Sequence, residues 1–205
     1  MGFFMSEKLP AVTACILALN ESLLIEECLL HLRPHVDFLL VLDGLSSDDT
    51  AEKAGKIADG VFEHKFSGSI ATERNYIQNL APSDWVLHCD ADERFNEVFL
   101  RNIRQIIFDS KVKCFRFKRN NLDRDYPLHD ADDAQVRLLD KRVSVWSRNV
   151  HEVLWSLEFN KPLDQCGDAF VKYVPEYPIT HLRRLKGDRE RILMRWKQIS
   201  TQESK

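Results

Sequence analysis

The chain has 205 residues, 44% of them hydrophobic, enough to bury one proper core. A net charge of −3 lacks the basic balance of a nucleic-acid-binding domain, so no nucleic-acid partner is expected, and five cysteines with no C-x-x-C pair speak against a disulfide framework or a structural zinc site. No apolar run approaches the length of a membrane span, and Met1 to Pro10 lacks the basic-then-apolar pattern of a secretion signal, so the expected location is cytoplasmic.

Taken in order, Ala11 to Leu19 is a near-continuous apolar run, the pattern of a strand buried on both faces of a parallel sheet. It ends at Asn20-Glu21. From Ser22 to Leu32 the residues Leu24, Ile25, Cys28, Leu29 and Leu32 recur at helical spacing, and Arg33-Pro34 closes that helix. Phe38 to Leu42 reads as a second strand. The polar loop Asp43 to Asp49 follows it, and Asp49 with Glu52 predicts a capping box for the next helix. Ala51, Ala54, Ile57 and Ala58 face that helix inward, and Gly60 ends it. Val61 to Phe66 predicts a third strand and Ile70 to Leu80 a third helix.

Trp85 to Cys89 is again a strand-length apolar run, and the acids Asp90-Ala91-Asp92 begin where it stops. Strands alternating with helices specify right-handed crossovers and a mostly parallel sheet with helices on its faces, an α/β fold. Asn20, Asp43 and Asp90 then share the carboxyl edge of the sheet, where open α/β sheets bind ligands. Two aspartates separated by one small residue there can hold Mg2+ or Mn2+ while leaving positions open for phosphate oxygens. The plainer alternative is an acidic turn that stops a strand. Asn96 is placed as the N-cap of a further helix, with Phe95 and Leu100 as a hydrophobic staple and Val98, Phe99, Ile103, Ile106 and Ile107 as its buried face.

The second half changes pattern. Val112 to Phe117 and Gln135 to Leu139 alternate, which predicts antiparallel or mixed strands at the sheet's edge. Between them Asn120 to Asp133 is a long, polar, acidic loop of the kind that covers active sites.

Four segments, in this order and spacing, resemble family 2 glycosyltransferases of the GT-A, nucleotide-diphospho-sugar transferase fold. They are Leu17 to Glu21, Val41 to Thr50, Ala71 to Asn75 and Asp84 to Glu93, and together they span about 80 residues. Arg137-Leu138 and Val150-His151-Glu152 match a further signature of that family. Members commonly carry a small residue and a glycine around the Asp43 loop, where this chain has Leu45 and Asp49.

The resemblance implies a three-layer αβα sandwich with a mostly parallel central sheet and a small mixed C-terminal part. Residues 1–182 form the transferase domain, with 11–94 as its nucleotide-sugar half and 95–182 as its acceptor half. It also implies that Asn20 and Glu21 lie near base and ribose, that Asp43 and Gly44 flank the nucleobase, and that Arg74 faces the nucleotide or its phosphates. Asp90 and Ala91 would border the ribose and metal, with Asp92 the principal ligand of Mn2+ or Mg2+ and His181 a further one. An ionised carboxylate at Asp43 accepts well from an imide N–H, which favours a UDP-sugar. Glu21 also reads as a first-turn acid on a helix dipole, and Arg74 as a solvated helical arginine.

Inverting sugar transfer needs a base for the acceptor hydroxyl. Glu152 is the candidate, Asp133 and Asp132 the runners-up, and His151 either takes part or orients its neighbours. The expected activity is metal-dependent transfer from a nucleotide-sugar to a glycan, lipid-linked or other acceptor, within polysaccharide biosynthesis. A non-catalytic nucleotide-sugar-binding or scaffold protein is the alternative. Residues 183–205 interleave basic and apolar residues as an amphipathic helix, read either as packed on the domain or as a peripheral contact with the inner face of a membrane.

Overall fold

The computed structural model describes residues 8–121, 134–148 and 153–182. The first half alternates as the periodicity predicts. Strand β1 (Val12–Ala18) leads to helix α1 (Ile25–Leu32), β2 (Phe38–Asp43), α2 (Thr50–Gly55), β3 (Gly60–Glu63), α3 (Ile70–Leu80) and β4 (Trp85–Asp90). A turn over Ala91 and Asp92 brings in the two-residue β5 (Glu93–Arg94) and then α4 (Glu97–Asp109). The second half is almost all strand: β6 (Cys114–Asn121), β7 (Ala134–Asp140), β8 (Ser144–Ser147), β9 (Val153–Ser156), β10 (Lys161–Pro162), β11 (Val171–Tyr173) and β12 (Ile179–His181).

The main sheet runs β3-β2-β1-β4-β7-β6-β12-β5, with β11 also on β6. β1 pairs in parallel with β2 and β4, and β2 with β3; β7 enters antiparallel between β4 and β6. Helices α1, α2 and α4 cover one face, over a core that includes Ile25, Leu29, Ala54, Phe99 and Ile103. On the other face, α3 and a small antiparallel sheet of β8, β9 and β10 pack over Cys15, Val86, Leu139 and Trp146. Covering both faces is what makes β1 and β4 near-continuous apolar runs. This is the three-layer α/β arrangement expected, with the smaller mixed part in the second half.

Several local expectations are corrected. The first helix begins at Ile25 rather than Ser22, because Leu24 and Ile25 donate to the Glu21 carbonyl and form a turn ahead of it. Arg33 to His35 continues as a 3-10 turn instead of closing the helix abruptly. Asp49 occupies the N-cap of α2 without a side-chain cap bond; its carboxylate pairs with Lys53, and Asp48 accepts from the Thr50 N–H in its place. Gly60 opens β3, which stops at Glu63. Val98 is 47% exposed, whereas Phe99, Leu100, Ile103 and Ile107 form the buried face of α4. Asn96 does cap that helix, accepting from the N–H groups of Val98 and Phe99 at 2.9 and 3.1 Å, with Phe95 and Leu100 buried on either side. All five cysteines are free, four of them buried.

Candidate active site

The carboxyl ends of β1 and β2 are joined by their loops. Asn20, at a φ of 54°, accepts from the Ser47 N–H at 2.8 Å, and its own N–H donates to Ser46 Oγ at 2.8 Å. The Asp43 carboxylate, 1% exposed, accepts from the Ser46 N–H at 2.7 Å and from the Ser46 hydroxyl. Gly44 donates to the Ala18 carbonyl at 2.8 Å. Leu45 takes a φ of 65°, a left-handed conformation that costs a non-glycine residue roughly 1–2 kcal/mol and is held here by the Asp43–Ser46 bonds. Asn20 and Asp43 thus build the loop.

Beside this loop lies a cavity of about 420 Å3. Its lining is apolar at Leu17, Leu42 and Ile70, and its polar groups are Glu21, His64, Glu73, Arg74, Asp90 and Asp92. Gly44 and Ala91 also line it, so the structure gathers Glu21, Gly44, Arg74, Asp90, Ala91 and Asp92 around one space; Asn20 and Asp43 are not part of its wall. Glu21 is buried, its N–H donating to Thr50 Oγ1 at 2.8 Å.

Arg74 projects from α3, which Ser69 caps through the Thr72 N–H. Its guanidinium reaches both Asp90 oxygens, at 3.0 and 3.3 Å. From β7, Arg137 donates to Asp90 Oδ2 at 3.1 Å and grips Glu93 with two bonds of 2.8 Å each. Arg119 adds a third guanidinium 3.7 Å from Glu93. Burial alone would raise the Asp90 pKa; the Arg74 and Arg137 charges outweigh it and hold the carboxyl well below the usual carboxylate range. Glu93 is fully buried and kept by this pairing, since a buried charge without a partner costs several kcal/mol. Arg94 donates to the carbonyls of Ala91, Glu93 and Leu24, which fixes the acidic turn to the entry of α1.

Asp92 sits at the apex of that turn. Its carbonyl accepts from the Leu182 N–H at 2.7 Å, and β12 pairs antiparallel with β5, which sets His181 opposite Glu93. His181 Nε2 lies 3.4 Å from Asp92 Oδ2, while Nδ1 meets Asn121 Oδ1 at 2.6 Å. With the Nδ1 proton given to Asn121, Nε2 and the carboxylate oxygen are two lone-pair donors side by side, oriented as metal-binding histidines commonly are. Among the described residues no three His, Cys, Asp or Glu side chains form a ligand set. Asp92 and His181 therefore fit as a two-ligand site for a divalent cation whose other positions go to phosphate oxygens and water. Asp90 has both oxygens engaged by arginines.

No family model matches the chain. Over 169 residues it is 24% identical to an uncharacterized glycosyltransferase of Rickettsia conorii, an alignment covering 78% of this chain and 59% of that protein. Over 90 residues it is 30% identical to the prophage-derived glycosyltransferase SunS of Bacillus subtilis, covering 43% of this chain and 21% of SunS. The chain is similar in sequence to glycosyltransferases. It spans little more than half the length of the Rickettsia glycosyltransferase and a fifth of SunS. Among solved structures it superposes on a mycobacterial protein with a TM-score of 0.63 at 14% identity, over 89% of this chain and 71% of that one, a likeness of fold.

Sequence reasoning missed three parts of this candidate site. Glu93 and Arg137 brace the acidic turn, although both stood inside matched segments; the signal available for Arg137 was a charge directly before the apolar pair Leu138-Leu139. His64 was assigned no role, yet it lines the cavity, where its Nδ1 meets Glu73 Oε2 at 2.7 Å and its ring stacks on Tyr76. Burial raises the Glu73 pKa, but bonds from Ser67 and His64 outweigh it and lower it overall. Trp146, 5% exposed, places its ring under the Arg74 guanidinium, 5.3 Å from the ring centre. The candidates Asp132, Asp133, His151 and Glu152, and the segment 183–205, lie outside the described residues.

Proposed function

We propose that this chain binds a nucleotide-sugar in the cavity at the end of β1 and β4 and transfers the sugar, with inversion, to an acceptor hydroxyl, in the manner of a family 2 glycosyltransferase. The observation that carries the reading is the convergence of Arg74, Asp90, Asp92 and His181 at one end of the sheet, beside a cavity of nucleotide-compatible size. Sequence similarity to glycosyltransferases supports it. UDP is the favoured nucleotide by the resemblance of the motifs.

In this reading Asp92 and His181 hold Mn2+ or Mg2+, with Asp90 beside them. The chemistry such a cation supplies when bound is neutralisation of charge on the departing diphosphate. Arg74 serves the same end as a fixed guanidinium at the cavity wall. Asp90 keeps that guanidinium in place rather than acting as the first ligand. Glu21 and Gly44 border the nucleoside. Glu152 takes the proton from the acceptor hydroxyl, with His151 beside it and Asp133 as the alternative base. Val153, which follows Glu152 in the chain and opens β9, lines a second cavity of about 270 Å3. The acceptor is a glycan or a lipid-linked saccharide, and the work is done in the cytoplasm, with 183–205 as a peripheral membrane contact. None of the helices among the described residues is long and apolar enough to cross a membrane.

Glu152→Gln tests the base. Turnover should fall by about 100-fold or more while UDP affinity stays within about twofold. Turnover within a few-fold of wild type would remove Glu152 from the chemistry.

A further inference from the structure

We infer that Trp146 is a positioning residue for Arg74: the indole, itself locked by Asn75 and His88, holds the guanidinium at the place where a nucleoside diphosphate binds. This rests on the nucleotide reading above and extends it to a residue outside every matched motif.

The geometry is a closed arrangement. The side-chain amide of Asn75 pairs with the backbone of Trp146 at both ends, Nδ2 donating to the Trp146 carbonyl at 2.8 Å and Oδ1 accepting its N–H at 2.9 Å. One turn further along α3, Gln78 Nε2 donates to the Ser144 carbonyl at 3.3 Å. Strand β8 is thereby tied to the helix that carries Arg74. The indole N–H then points at the fully buried His88, 3.2 Å from Nε2, with the two rings edge to face. An indole N–H only donates and Gln78 Oε1, 3.1 Å from the same nitrogen, only accepts, so the two contacts alternate: Nε2 accepts from the indole when it is unprotonated and donates to Gln78 when it carries the ring proton.

Held in this way, the indole presents its electron-rich face to the Arg74 guanidinium at 5.3 Å. Arg74 is 1% exposed and bonded to Asp90, so two directions of the guanidinium are fixed, one by a carboxylate and one by a ring. A preset cation binds a phosphate without losing side-chain freedom at that moment. His88 and Asn75 thus act through Trp146, and Trp146 through Arg74.

The test is a double-mutant cycle read by calorimetric binding of UDP in the presence of Mn2+, using the full chain with Arg74→Gln, Trp146→Leu, Trp146→Phe and the combined replacements. Trp146→Phe keeps a ring and should bind within about threefold of wild type, whereas Trp146→Leu should lose about tenfold. In the Arg74→Gln background Trp146→Leu should change affinity by less than about twofold, because its effect passes through Arg74. An equal loss from Trp146→Leu in both backgrounds, or none in either, would overturn the inference. A second readout needs no ligand. The NMR signals of the Arg74 guanidinium should be ring-shifted in wild type and Trp146→Phe and lose that shift in Trp146→Leu. If wild type binds no UDP but this shift is present and lost as stated, the nucleotide reading fails while the positioning stands; an unshifted wild-type signal removes the positioning itself.

Discussion

Glu93 shows at the scale of one residue how much of the candidate site is electrostatic scaffolding. Its carboxylate is out of water and bonded at 2.8 Å through both oxygens to Arg137, which also reaches Asp90. Removing one member of such a pair strands the other. Arg137→Met should therefore destabilise the fold by about 3–5 kcal/mol in a urea melt, and the double replacement Arg137→Met with Glu93→Leu should lose less than that single change. A single-variant loss below 1 kcal/mol would mean that Glu93 finds compensation elsewhere. The same residues mark the limit of what the sequence discloses. Asp90 and Asp92 were recognisable by spacing and Arg74 by the family resemblance, and the structure does bring them together. Asp43 was recognisable too, but its carboxylate is turned to Ser46, because whether an acid faces a cavity or its own loop depends on backbone angles that spacing does not encode. Glu93, Arg137 and Trp146 come from three different strands, and nothing local in the chain announces that Glu93 meets Arg137 or that Trp146 meets Arg74.

At the scale of elements, the helices that cover the first half are set by signals near in sequence and were the most legible part of the fold. Ile70 to Leu80 has the bounds expected for α3, and Asn96 caps α4 with both staple residues buried. Asn96→Ala should cost about 1 kcal/mol of stability, since two N–H groups at the start of α4 lose their acceptor, and should leave UDP affinity unchanged because α4 lies on the face away from Arg74. A matching loss of affinity would show that α4 supports the acidic turn directly. The short strands of the second half were less legible. Two-residue β5 and three-residue β12 carry no periodicity to read, yet their pairing is what brings His181 to Asp92. Tertiary contact, not propensity, makes them strands.

For the whole molecule, the sheet divides the work. Its parallel half presents the carboxyl ends of β1, β2 and β4 to one cavity, and its mixed half supplies Arg137, His181 and Trp146, which touch the wall residues Asp90, Asp92 and Arg74. The proposed nucleotide site is braced from the mixed half, and β7, antiparallel between β4 and β6, joins the two parts of the sheet. The central claim, a metal-assisted nucleotide site, is tested most directly by calorimetric binding of UDP with and without Mn2+ to wild type and Asp92→Ala. Saturable UDP binding that strengthens at least about tenfold with Mn2+ in wild type, and loses that dependence in Asp92→Ala, is the predicted result. Absence of UDP binding, or binding indifferent to both Mn2+ and Asp92, would contradict it.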